Sequence, residues 1–313
     1  MATNTQSAVM MYGKPVAQPM EERVAAAVPG FLARHRVVPT LAIVQVGRNP
    51  ASERYIRKKI ESCARLGMHA DLHQFEESIT ADDLKREVEL LSRRPQVHGL
   101  LVQLPLPRAI EEPAAGGTSK FDVFDAIAPE KDVDGIGRES IPELYRAEQH
   151  RMRFLPGTAL AVRRMIAYYD IKTEGRRAVV VGRNDITAKP ILHMLGGRMC
   201  NAAAIWCHRY VPPKDQQELI RSADILVTSV GSPHFQITRE MLKPGVDIFD
   251  IATRIGADGK IRGDVDAEAG AQLAAHFTPV PGGVGPVTVA ALAENLFRAA
   301  RFAMGEGELG YSF

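Results

Sequence analysis

The chain has 313 residues and a formal net charge of +2, with 24% charged and 6% aromatic side chains. That balance excludes a nucleic-acid-binding stripe or an acidic tail, and the length allows two domains, each with its own core. No apolar run approaches the ~20 residues of a membrane span, and the polar opening from Met1 to Val9 lacks the layout of a signal peptide.

In chain order, the pattern predicts a helix over 16–35 and then a strand over 40–46, where Leu41, Ala42, Ile43, Val44 and Val46 make an apolar run of strand length. A helix follows over 52–66, with Gly67 placed to end it. A short strand near 70–75 leads to Thr80-Ala81-Asp82-Asp83, a capping-box-like start for a helix to Ser92. The strand over 99–103 closes this series at Gln103. Segment 111–120 is rich in Glu, Gly, Ala and Pro and reads as a flexible loop, dispensable for folding.

A second unit opens near Pro156 with a helix over 158–169 and a strand over 178–182. A helix through 190–195 and strands over 203–207, 225–231 and 247–251 follow. Strands alternating with helices imply an α/β fold with parallel sheets covered on both faces, the second of dinucleotide-binding type. A last helix over 288–304 carries Val289, Leu292, Leu296 and Ala300 on one face, suited to docking. Cys63, Cys200 and Cys207 are odd in number and lack a metal-ligand spacing. They point to a reduced, cytoplasmic setting without a structural metal.

Four stretches carry chemistry. Pro279-Val280-Pro281-Gly282-Gly283-Val284-Gly285-Pro286-Val287-Thr288 should not continue a helix or the interior of a strand, and reads as a rigid turn that offers its main chain to a flat heteroaromatic ligand. On residue types alone a tight connection before the last helix is the favoured reading. Tyr55 and Lys59 stand four apart on one helical face. They are either a proton-handling pair, if burial lowers the ammonium pKa, or part of a solvated cationic face with Arg54, Arg57 and Lys58. Gln103 ends a buried strand at Leu104-Pro105-Leu106-Pro107, where its amide can donate and accept at once. Gly182-Arg183-Asn184-Asp185-Ile186-Thr187-Ala188 lies between a strand and a helix, the place for a pyrophosphate. No acid ends the next strand; Cys207-His208-Arg209 stands there, and with Arg183 offers cations to a 2′-phosphate, or is ordinary surface charge.

The run Asn49-Pro50-Ala51-Ser52-Glu53-Arg54-Tyr55-Ile56-Arg57-Lys58-Lys59, the run Val102-Gln103-Leu104-Pro105-Leu106-Pro107 with Lys131-Asp132-Val133-Asp134-Gly135, and the proline–glycine loop occur in one order. Together they resemble the bifunctional methylenetetrahydrofolate dehydrogenase/methenyltetrahydrofolate cyclohydrolase family, over about residues 13–298. The resemblance implies a folate-binding catalytic domain over 1–155 plus 287–313 and a Rossmann-like NADP domain over 156–286. It also implies that the last helix returns to the first domain, and that the dinucleotide domains form a homodimer.

It selects Lys59, Tyr55, Gln103 and Asp134 as catalytic. Tyr55, Gln103, Asp134, Pro281, Gly282, Gly283 and Val284 would meet a tetrahydrofolate derivative, with Asp134 on the pterin donor edge. Thr158, Gly182, Arg183, Asn184, His208, Arg209 and Ile251 would meet NADP. Departures from the family pattern cluster in the cofactor half. Asn184 and Ala188 replace serine and glycine, Gly157 and Ala159 stand near Thr158, and Ala252-Thr253-Arg254 follow Ile251. A methyl at Ala188 is expected to crowd the phosphate and weaken NADP. A redox-silent paralogue and a folate-binding protein without turnover are the alternative readings.

Overall fold

The computed structural model describes residues 7–146, 152–256, 258–306 and 311; the opening from Met1 to Gln6 and the last two residues lie outside them. After β1 (Val9–Met10), helix α1 (Lys14–His35) leads to the first parallel sheet. Its strands are β2 (Thr40–Val46), β3 (His69–Phe75) and β4 (Gly99–Val102), in spatial order β3-β2-β4, with helices α2 (Pro50–Arg65) and α3 (Ala81–Ser92) as the crossovers. Short helices α4 (Arg108–Glu111), α5 (Lys120–Phe124) and α6 (Ser140–Arg146) fill the way to α7 (Gly157–Tyr168).

The second sheet takes β5 (Arg177–Val181), β6 (Ala203–Cys207), β7 (Ile225–Thr228) and β8 (Asp247–Asp250), joined through α8 (Ala188–Gly196) and α9 (Pro213–Ser222). A hairpin of β9 (Arg254–Ile255) and β10 (Ile261–Arg262), helix α10 (Ala267–Leu273) and strand β11 (His276–Phe277) follow, and α11 (Val284–Ala303) ends the fold. The order is β1-β11-β8-β7-β5-β6, with every pair parallel. From β5 onward this is the 2-1-3-4-5 winding of open doubly wound sheets. Its switch point lies between β5 and β7, where ligands bind outside the strand ends.

Several helix starts fall earlier than the sequence pattern places them, and at two of them proline gives the reason. The second helix begins at Pro50 rather than near residue 52, because the Asn49 side chain accepts from the Ser52 N–H at 3.2 Å and proline fits the first helical position. The last begins at Val284 rather than 288. Pro286 lies in its first turn, where the N–H groups have no helical acceptor and a missing donor loses nothing. Thr80 caps α3 as expected, accepting from the Asp83 N–H at 3.1 Å.

Helix α11 lies against α1, α2 and α7 and sends Leu292, Leu296, Phe297 and Ala300 into a core shared with Ile43, Leu101, Ile56 and Cys63. That is the return to the first domain implied by the resemblance. Strand β1 was not foreseen: the sequence pattern leaves everything before Pro156 in the first unit, yet Val9–Met10 pairs with β11 at the rim of the second sheet. Two residues are too few for a periodicity to show.

Segment 111–120 is not a detached loop. Glu111 accepts from the Leu106 N–H at 3.2 Å and pairs with Lys120 at 2.7 Å. Thr118 donates to Asp82 of α3 at 2.6 Å, and Ser119 closes a capping box with Asp122. Lys120 also reaches Asp185, in the loop after β5, at 3.5 Å. Only the tip, from Glu112 to Gly117, is largely exposed. Deleting Ala114 to Gly116 should therefore leave the melting temperature within about 1–2 °C, as for a surface change of up to ~0.5 kcal/mol. Deleting Thr118 to Lys120 should lower it clearly in the same scan, and equal effects would contradict this division.

Candidate active site

The inner stripe of α2 is Ser52, Ile56 and Cys63, all buried, and Lys59 sits half-buried in the same stripe. Lys58 points to solvent, so helical geometry separates the two lysines that composition could not. Lys59 Nζ donates to Gln103 Oε1 at 3.0 Å, across from the end of β4. The Gln103 amide is held from both sides, since its Nε2 donates to the Leu104 carbonyl at 2.9 Å. Ser52 Oγ donates to that same carbonyl at 3.0 Å, tying α2 to the turn. Tyr55 lies at the rim, 40% exposed, with its ring open to a ligand.

Burial is the main influence on Lys59 and holds its ammonium pKa below the ordinary lysine value. The Asp134 charge opposes that fall, which places the carboxylate within electrostatic reach of the amine. Asp134 follows a firmly built turn. The Asp132 carboxylate is buried beneath it, accepting from the Gly137 N–H at 2.8 Å and Ser140 Oγ at 2.7 Å. From α11, Asn295 Nδ2 donates to the Val133 carbonyl at 2.8 Å, and Tyr311 Oη donates to Asn295 Oδ1 at 2.5 Å.

The proline–glycine loop is less open than its composition suggests. The Gly282 carbonyl accepts from the Gly13 N–H at 2.8 Å, and the Gly283 N–H donates to Pro279 at 2.7 Å. A Cβ at Gly13 would stand 2.0 Å from the Gly283 oxygen, so this contact requires glycine. Pro281 and Gly282 are exposed, whereas Gly283 is buried and the Val284 side chain belongs to the core.

At the switch point, Gly182 ends β5 with φ +124°, and a Cβ there would meet the Ser229 oxygen at 2.9 Å. Asn184 is exposed, and its Oδ1 accepts from the Ile186 N–H at 2.9 Å. Thr187 and Ser229 hydroxyls meet at 2.7 Å across β5 and β7. Arg183 and Arg209 stand over the Tyr210 ring, 5.2 and 5.0 Å from its centre, with His208 against its edge. Thr158 lies in the first turn of α7 and Ile251 just past β8, both partly buried.

Residues 11–134 match the model of the tetrahydrofolate dehydrogenase/cyclohydrolase catalytic domain, and residues 156–304 match that of the family's NAD(P)-binding domain. The chain belongs to the tetrahydrofolate dehydrogenase/cyclohydrolase family. A bifunctional protein FolD of Lacticaseibacillus paracasei is 40% identical over 275 residues, 88% of this chain and 92% of that protein. A mitochondrial bifunctional methylenetetrahydrofolate dehydrogenase/cyclohydrolase of Drosophila melanogaster is 37% identical over 312 residues, covering 96% and 97%. Among solved structures, the Trypanosoma brucei enzyme complexed with NADP and an inhibitor superposes with a TM-score of 0.86 at 29% identity, covering 96% of this chain and 99% of that one.

Within the family frame, one sequence expectation is corrected. The Ala188 methyl does not project at the phosphate loop's mouth. It is fully buried in the core with Val180, Ile191 and Leu195, so it fills volume rather than blocking a pyrophosphate. Ala252 is likewise buried, with its N–H donating to Asp250 at 3.1 Å. Burial beside Asp264 raises the Asp250 carboxyl to about 7.

Sequence reasoning missed four supports of this site. Trp206 Nε1 donates to the Gly182 carbonyl at 2.6 Å, Tyr210 gathers the two arginines, and Ser52 and Asn295 steady the folate side. A tryptophan one residue before Cys207-His208-Arg209 was the only local hint for the first. The three cysteines are buried, and burial raises Cys63 and Cys207 to about 11, so neither thiol is a nucleophile at neutral pH.

Proposed function

We infer that this protein is the bifunctional methylenetetrahydrofolate dehydrogenase/methenyltetrahydrofolate cyclohydrolase of one-carbon metabolism, with Lys59, Tyr55, Gln103 and Asp134 as its working residues. The observation that carries the reading is the 3.0 Å bond from Lys59 to Gln103 on a half-buried face, with Asp134 beside it. Burial lowers the Lys59 pKa and so favours the neutral amine, which can sit next to the methenyl cation and take a proton from water. The Asp134 carboxylate suits the two donors on the edge of an aminopyrimidinone. The exposed main chain at Pro281 and Gly282 is assigned to the same folate ligand.

A bound dinucleotide would supply the hydride acceptor for the methylene carbon. Here Gly182 allows close backbone approach, Asn184 offers its amide nitrogen, and Thr158 and Ile251 flank the strand ends. NADP is the preferred form, because Arg183, His208 and Arg209 cluster at the end of β6 with no acid to hold a free 2′-hydroxyl. The alternative of a redox-silent paralogue rested on the replacements near Ala188 and Ala252, and the burial of both side chains speaks for the bifunctional reading. The reading includes a homodimer through the dinucleotide domains, supported by β6 as the outer strand of its sheet with Trp206 38% exposed. It also includes a reducing cytoplasmic setting, supported by three free thiols.

The test follows NADPH and methenyltetrahydrofolate absorbance together after adding methylenetetrahydrofolate, with NADP or NAD. Reduction with transient methenyl accumulation and a preference for NADP is expected. Arg183→Ala with Arg209→Ala should erase that preference. Equal use of both cofactors by the unaltered protein would overturn the NADP assignment.

A further inference from the structure

Three glutamines form a row across the first sheet. The pairing aligns Gln45 of β2 with Gln74 of β3. On the other side Val44 aligns with Val102, and the Gln103 N–H donates to the Val44 carbonyl at 2.8 Å, so Gln45 and Gln103 are lateral neighbours. Neighbouring strands lie ~4.8 Å apart, which brings the two side chains within reach of one shared molecule. Alternation gives the face: Leu41 and Ile43 of β2 and Leu101 of β4 pack in the core with Ile56 and Cys63 of α2, so Gln45 and Gln103 project to the α2 side. That is the side on which Lys59 meets Gln103.

Gln45 is only 3% exposed, and its Nε2 has no hydrogen-bond partner among the described residues. The amides beside it are both engaged, Gln103 as described and Gln74 with the Gly47 carbonyl at 3.4 Å. A buried donor left unpaired is strongly disfavoured, and a hydrophobic residue would serve a purely structural role at this position better. The Gln103 carbonyl keeps a second lone pair after accepting from Lys59. Gln45 Nε2, Gln103 Oε1 and Lys59 Nζ therefore make a set of polar partners of the number that holds a buried water.

We propose that Gln45 is a water-holding residue of the hydrolytic step, presenting the reacting water to the methenyl carbon against the Lys59–Gln103 pair. This rests on the functional reading above. In the step, a water lone pair forms the C–O bond to the methenyl carbon, and one water proton passes to the neutral Lys59 amine. The carbon–N5 bond then breaks with its electron pair on N5, which takes the second water proton. The cation and one water become neutral 10-formyltetrahydrofolate, and Lys59 releases its proton to solvent. Hydride transfer consumes no water, so the two reactions should respond differently to Gln45.

The experiment compares Gln45→Met, which keeps length and volume without a donor, with Gln45→His, which restores an N–H at similar reach. In Gln45→Met, kcat for methenyltetrahydrofolate hydrolysis should fall about 10- to 100-fold with KM within twofold. The loss should exceed that in dehydrogenation at least tenfold. Gln45→His should recover at least fivefold over Gln45→Met, and neither melting temperature should fall as a core cavity would require. Hydrolysis at the unaltered rate in both variants, or equal losses in the two reactions, overturns the proposal and makes Gln45 a packing residue. An unaltered protein that neither dehydrogenates nor hydrolyses overturns the functional reading itself, a separate failure from an active protein insensitive at Gln45.

Discussion

Lys59→Met should reduce hydrolysis of methenyltetrahydrofolate by about 100- to 10,000-fold, the range for a positioned acid–base group, and leave the fold intact. Methionine keeps an apolar stem on the helical face that carries buried Ile56 and Cys63, and removes only the amine. It also removes a desolvated ionisable group, a gain that offsets the hydrogen bond lost at Gln103 Oε1. Lys58→Met should change turnover by no more than about twofold, because that side chain is in water and far from the Gln103 amide. The pH dependence has a definite sign. Burial lowers the Lys59 pKa, so the competent neutral amine appears as pH rises through a value below the ordinary lysine range. Hydrolysis should climb along that limb in the unaltered enzyme, and the limb should vanish in Lys59→Met. Loss of methenyl absorbance across a pH series checks this; equal damage from the two lysine variants would mean the whole cationic face acts as one.

Asp134→Ala should weaken folate binding by about 2–5 kcal/mol, the range for losing one partner of a desolvated charged hydrogen bond. The carboxylate is half-buried without a ligand, and a pterin seated on it would complete its desolvation. A second effect separates this variant from a simple binding defect. The Asp134 charge opposes the fall in the Lys59 pKa, so its removal should move the hydrolytic limb to still lower pH. Titration calorimetry with a folate analogue reads the first effect and the pH series the second. Unchanged affinity would reduce Asp134 to a turn residue above Asp132.

Much of this molecule follows from neighbours along the chain. Apolar runs such as Leu41 to Val46, the Thr80 cap and the alternation of strands with helices are local signals, and the sheets and crossovers follow them closely. The step of four from Tyr55 to Lys59 is about one helical turn, so their shared side of α2 was legible, as was the strand end at Gln103. Where local reading slipped, at Pro50 and Val284, it treated proline as a barrier in a first turn that needs no donor.

What the tertiary structure alone decided is which distant groups meet. It covered the Lys59 face of α2 and left Lys58 in solvent, sent the Ala188 methyl into the core, and tied Lys120 to Asp185. It also set Asn295 under Val133 and left the Gln45 amide unpaired beside Gln103. No periodicity encodes such pairs. Each depends on two segments brought together only when the sheets form, and the low dielectric there gives a lone donor or amine its chemical consequence.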